Sequence, residues 1–268
     1  MISRSNRAAE SRLMDSLNPA NPPATIVPEH RRAWGFWGTV LWGLVVFAAM
    51  FVGQIAVVIF FVLERGEDID RAAMIHAVAS NGLAISLSVI AGLPAVLLAL
   101  WVAIRFTRIP FTDYLALRWT SWRNVILGVV GLVVIVAGWD LLSRAIGKEV
   151  APDFMIDVFK SARADDALWL LVIAFCAAAP ITEELFARGL LYRGLSESFL
   201  GVPGAILISS IVWTSLHLQY DWFFFGEVFC IGLWFGYIRY RSRSTWLTIV
   251  LHALNNLAAV VQSYFLAG

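Results

Sequence analysis

The sequence predicts an all-α protein, a bundle of about seven transmembrane helices with a four-helix core in its C-terminal half. Three observations predict it. Of the 268 residues, 60% are hydrophobic and only 15% charged, with a mean hydropathy of +0.76; a soluble domain carries roughly 45–50% apolar and about 25% charged residues. Apolar runs long enough for a helix to cross a hydrocarbon core, about 20 residues, recur along the chain. Tryptophans such as Trp34, Trp37, Trp119, Trp122, Trp222 and Trp246 fall near the ends of those runs, as an aromatic belt at the lipid–water boundary does.

Residues 1–36 are polar at first, with Arg4, Arg7, Arg12, Arg31, Arg32 and several prolines. They read as a flexible cytoplasmic tail rather than a secretory signal. Spans are expected near 37–63, 80–104 and 124–146, giving an N-terminal transmembrane region over 37–146; the apolar run from Ala72 to Ile104 is long for one helix. Residues 147–166 are mixed in character and suit an extramembrane or interfacial segment. Four further spans, near 167–192, 203–219, 223–239 and 246–266, follow with short connections and make a C-terminal transmembrane domain over 167–266. There is no internal repeat.

Alternating the connections between two sides sorts the basic residues unevenly. Fourteen fall with the N-terminus, including Arg105, Arg108, Arg118, Arg123, Arg239, Arg241 and Arg243, and six fall opposite. Basic residues collect on the cytoplasmic side, so a multi-pass cell-membrane protein with a cytoplasmic N-terminus is expected. The net charge of +1 gives no reason to expect a nucleic-acid partner. Cys176 and Cys230 lie in apolar runs without ligand-like spacing and read as packing residues.

A charge at the centre of a span costs at least roughly 2.5–3.5 kcal/mol, so charges there call for a reason. The stretch Pro180-Ile-Thr-Glu-Glu-Leu-Phe-Ala-Arg-Gly189 places two carboxylates in the fourth span. Glu184 and Arg188, four apart, share a helix face and can pair. Glu183 is turned about 100° away and is left as a carboxylate in apolar surroundings, which suits a general base or, equally, a group bonded to a neighbouring helix. His217 ends Ile211-Val-Trp-Thr-Ser-Leu-His217, and His252 and Asn256 stand four apart in the seventh span. Asp140 and Arg144, also four apart, are expected to pair; Glu227 faces water, a helix or a cavity.

Hydrolysis inside a membrane needs a water held by a base and donors for the oxyanion. Glu183 and His217 could hold the water, with His252 and Asn256 as donors. Alternatively, Glu183, His217 and His252 could bind a zinc ion that activates it.

Glu-Glu-Leu-Phe-Ala-Arg-Gly (183–189), Trp-Thr-Ser-Leu-His (213–217) and His-Ala-Leu-Asn-Asn (252–256) resemble the ordered EExxxR, FxxxH and HxxxN motifs of the CAAX prenyl endopeptidase and bacteriocin-processing superfamily (CPBP, or Abi). Trp213 stands where the family pattern has phenylalanine. The resemblance covers roughly residues 167–266. It implies an intramembrane endopeptidase in which Glu183 is the base, His217 its partner on the water, Arg188 the residue fixing the Glu183–Glu184 pair, and His252 with Asn256 the oxyanion site. The partner implied is a peptide or protein substrate at the membrane, and the cofactor is none or zinc, since both glutamate-type and metalloprotease readings exist for the family. H-E-x-x-H, G-x-G-D and G-x-S-x-G are all absent, which speaks against other protease classes. Two different readings stand beside it: a proton-coupled transporter, because carboxylates and histidines also build proton relays, and a non-catalytic membrane scaffold or bacteriocin-immunity protein.

Overall fold

A computed structural model describes residues 33–65 and 78–268; the expected tail over 1–36 lies almost wholly outside them. The described chain is helical throughout. It runs α1 (Phe36–Arg65), α2 (Gly82–Arg105), a short α3 (Phe111–Tyr114), α4 (Trp122–Ala145), α5 (Asp153–Ala164), α6 (Leu168–Ser196), α7 (Gly201–Thr214), α8 (Trp222–Ser242) and α9 (Thr245–Leu266). A 3-10 turn over Ser215–His217 prolongs α7, and α6 widens into π turns at Ala174–Ala178 and Leu185–Leu191.

All seven expected spans are present as helices, with ends moved by a few residues. Five of them, α1, α2, α4, α6 and α9, are long and apolar enough to cross a membrane. The other two fall short for different reasons. α7 has 14 residues plus its three-residue turn. α8 has 21 residues but carries Glu227, Arg239 and Arg241. Exposed apolar side chains such as Leu41, Leu44, Val133, Val134 and Val261 are what a lipid-facing surface requires. α5 occupies the segment expected to lie outside the spans. It buries Met155, Val158, Phe159 and Ala162, one face at helical spacing.

Polar caps set the helix starts. Asn81 accepts the Ala84 N–H at 2.8 Å and begins α2, so the described helix starts well inside the long Ala72–Ile104 run. Asp221 accepts the N–H groups of Phe223 (2.8 Å) and Phe224 (3.0 Å) at the start of α8. Ser244 accepts the Leu247 N–H at 3.1 Å at the start of α9. Each satisfies donors that a helix start leaves unpaired. Arg243, at φ +52°, makes the tight reversal between α8 and α9.

Hydrogen bonds between distant connections define two opposite ends of the bundle. At one end, Ser244 donates to the Arg118 carbonyl (2.5 Å), Arg118 to the Arg243 carbonyl (2.9 Å), and Arg193 to the Asp113 carbonyl (3.2 Å). At the other, Asn81 donates to Asp165 (2.9 Å), Gln262 to the Val150 carbonyl (3.1 Å) and Arg163 to the Gly268 carbonyl (2.8 Å), and Lys148 meets Asp221 at 3.5 Å. The connections therefore alternate as the spans require. In the middle, α1 and α2 cross closely: a side chain at Gly53 would run into the backbone of Ser88 and Gly92.

Candidate active site

The site begins with a proline. Pro180 has no N–H, and a proline ring crowds the carbonyl four residues back, so an α-helix cannot run through it undisturbed. Upstream of it α6 widens, and the Ala179 N–H bonds to the carbonyl of Ala174. In that π pattern the carbonyl of Phe175 would be paired with the nitrogen of Pro180, which has no hydrogen to give. Asn256 of α9 fills the gap, donating Nδ2–H to the Phe175 carbonyl at 2.8 Å. A part-buried carbonyl is thereby satisfied, and α9 is keyed against α6 about two turns from the acidic pair.

Below the proline, Glu184 and Arg188 are fully buried and pair at 3.0 Å through Oε1. The guanidinium also donates to the carbonyl of Gly232 at 2.9 Å and lies 4.6 Å over the ring of Trp213. The same Glu184 oxygen meets Nδ1 of His252 at 3.1 Å. A carboxylate can only accept, so Nδ1 carries the proton. That bond points Nε2 of His252 toward Oε2 of Glu183, 3.9 Å away. Glu183 Oε2 also accepts the indole N–H of Trp213 at 2.7 Å. Its side chain is 16% exposed, in contrast to the sealed Glu184.

Trp213 gathers the remaining members. Its ring centroid is 5.1 Å from that of His217 and 5.3 Å from that of His252. His217 Nδ1 lies 3.3 Å from the Trp213 carbonyl, which again only accepts, leaving Nε2 free for another partner. Glu183, Trp213, His217, His252 and Asn256 all line one cavity of about 570 Å³.

All six residues expected from the sequence are thus gathered at one place, and Glu184 and Arg188 pair as expected. Asn256 differs in one respect: one of its N–H groups is committed to Phe175, so an oxyanion role would fall to the other. Two residues carry more than the sequence suggested. Trp213, noted only for replacing phenylalanine, bonds to Glu183, and Glu184 orients His252 as well as pairing with Arg188. The expected Asp140–Arg144 pair is corrected. Among the described residues no ion pair joins them, and Asp140 instead lines the cavity together with Glu227. α6 runs on to Ser196, which puts Glu183 about 20 Å from that helix end at 1.5 Å per residue.

A zinc ion would need at least three ligands converging on one point. Among the described residues no three His, Cys, Asp or Glu side chains are so grouped. The Trp213 N–H takes one of the two Glu183 oxygens, and the Glu184 bond to Nδ1 of His252 leaves Nε2 as the nitrogen that faces Glu183.

No curated protein and no solved structure matches the chain. Residues 165–258 match the family described as type II CAAX prenyl endopeptidase Rce1-like. All three motifs, on α6, at the end of α7 and on α9, lie inside that stretch, so the multi-pass membrane domain they form is similar to the CAAX prenyl endopeptidase family.

Proposed function

We propose that the chain hydrolyses a peptide bond within the membrane with Glu183 as general base and His217 and His252 as its partners, and without a metal ion. The observation that carries this reading is the split between the two adjacent carboxylates. Glu184 is sealed, with its Oε1 shared between Arg188 and His252, while Glu183 reaches the cavity. A water held between Glu183 and Nε2 of His217 gives its proton to Glu183 as its oxygen attacks the carbonyl carbon. His252, flanked by two carboxylates, stabilises the oxyanion when both its nitrogens carry protons. Glu183 then returns the proton to the leaving amine, so the proton count closes.

The test is Glu183→Gln, which keeps the Trp213 partner and the volume while removing the base. Loss of cleavage of membrane-proximal peptides, with the detergent-solubilised protein still folded, is the expected result; retained cleavage would remove Glu183 from the role. Activity that survives exhaustive chelation supports the metal-free form, and activity lost to chelation and restored by zinc would overturn it. No comparable observation favours a transporter.

A further inference from the structure

Among the described residues, the cavity that holds Glu183 leads to one end of the bundle. From the catalytic side chains its lining continues through Val150, Pro152, Phe154, Gln219, Tyr220 and Gln262. Pro152, Phe154, Gln219 and Tyr220 also line a second hollow of about 360 Å³, whose other walls include Lys148, Glu149, Asp153 and Asp221. Lys148 and Asp221 are half-exposed. The two hollows together make a polar path from Glu183 to the end where Asn81 bonds to Asp165 and Lys148 meets Asp221.

The opposite end has a different character. It gathers Arg118, Arg193, Arg239, Arg241 and Arg243 around the joined connections between helices. Between it and Glu183 stands a buried layer of Phe186, Leu190, Leu195, Leu247 and Leu251. Counted over the whole sequence, this end and the N-terminal tail carry fourteen of the 20 basic residues. Such an excess marks the cytoplasmic side of a membrane protein.

We propose that the mouth of the active-site cavity faces away from the cytoplasm, so that the protease takes polypeptide presented from the extracytoplasmic side of the membrane. The sidedness stands on the cavity and the charge distribution alone; only the cutting rests on the peptidase reading above. A substrate whose scissile bond is carried on the cytoplasmic face would have to cross the sealed layer to meet Glu183.

Substituted cysteines decide this without reference to activity. In the full chain with Cys176 and Cys230 changed to alanine, Gln219→Cys reports the mouth and Arg241→Cys the basic end, both positions being exposed. A sulfonated maleimide crosses lipid slowly because a charge in hydrocarbon is costly, so Gln219→Cys is expected to label about tenfold faster or more in right-side-out vesicles than in inverted ones, and Arg241→Cys the reverse. Labelling of Gln219→Cys from the inverted side, or equally from both, overturns the proposal. Should Gln219→Cys fail to accumulate, Val150→Cys reports the same mouth. A peptide pool added to each vesicle type supplies the second arm. Glu183-dependent cleavage on right-side-out vesicles is expected, and cleavage confined to inverted vesicles overturns the proposal. Labelling as expected with no Glu183-dependent cleavage on either side sinks the peptidase reading and leaves the orientation standing.

Discussion

The indole N–H of Trp213 is bonded to Oε2 of Glu183 at 2.7 Å, while the same ring lies against Arg188 and faces both histidines at their edges. One oxygen of the carboxylate is thereby fixed, and the other is left for the cavity. A hydrogen bond to a charged group contributes roughly 1.5–3 kcal/mol. Trp213→Phe keeps an aromatic ring at the site and removes that donor along with the pyrrole half of the indole. It is expected to lower kcat by about tenfold or more, at 1.4 kcal/mol per decade, with KM little changed. Equal kcat values for the two proteins on one peptide would show that the bond does nothing for the reaction.

Glu184 and Arg188 form a sealed ion pair, and removing one partner leaves the other charge buried without compensation. Breaking such a pair costs about 3–5 kcal/mol, whereas replacing both partners by neutral groups of similar size costs far less. Glu184→Gln and Arg188→Met should each cut the yield of monodisperse protein and its melting temperature, and the double substitution should recover much of both. Activity should stay low in both variants that carry Glu184→Gln, because Nδ1 of His252 loses its charged acceptor. A double variant no more stable than either single one contradicts the pairing argument.

Much of this was legible in the sequence, and the parts that were not have a common cause. Helix positions and the Glu184–Arg188 pair follow from apolar run length and from spacing along a single helix. The convergence of Glu183, His217 and His252 rested on three short motifs in order. The Asp140–Arg144 expectation used the same four-residue spacing as Glu184–Arg188, yet Asp140 lines the cavity instead. Spacing says which side chains can meet and not which way the helix is turned in the bundle. The Trp213–Glu183 and Asn256–Phe175 bonds join different helices, and no periodicity within either helix encodes them. Pro180 was the available signal for the second: a proline inside a span announces an unpaired carbonyl nearby, though not which residue reaches it.

Asn256 is accordingly expected to act through structure as well as through any contact with substrate. Asn256→Asp replaces the donor to Phe175 with a group that can only accept when ionised, setting two oxygens against each other. Asn256→Ala merely leaves the carbonyl unpaired, at about 1–3 kcal/mol. The aspartate variant should therefore melt lower than the alanine variant. The reverse order would mean that the Phe175 carbonyl is satisfied in some other way.

Asp221 provides a pH-dependent counterpart outside the spans. The N–H groups of Phe224 and Phe223 and the nearby Lys148 hold its carboxyl below the ordinary aspartate range. Its ionised form is therefore the one that favours the fold. That contribution is complete above the unfolded-state value, about 3.9, and disappears as pH falls through the lower folded value. Losing a helix N-cap typically costs about 1 kcal/mol, so Asp221→Ala should lower the melting temperature at pH 7. Asp221→Asn keeps a capping oxygen and should fall between the two. The gap between wild type and Asp221→Ala should narrow on acidification below pH about 4, while the gap between Asp221→Asn and Asp221→Ala stays constant, because the amide does not titrate. Melting curves of the three proteins across that pH range check this; a wild-type advantage that persists unchanged in acid would mean that Asp221 holds α8 by something other than its charge.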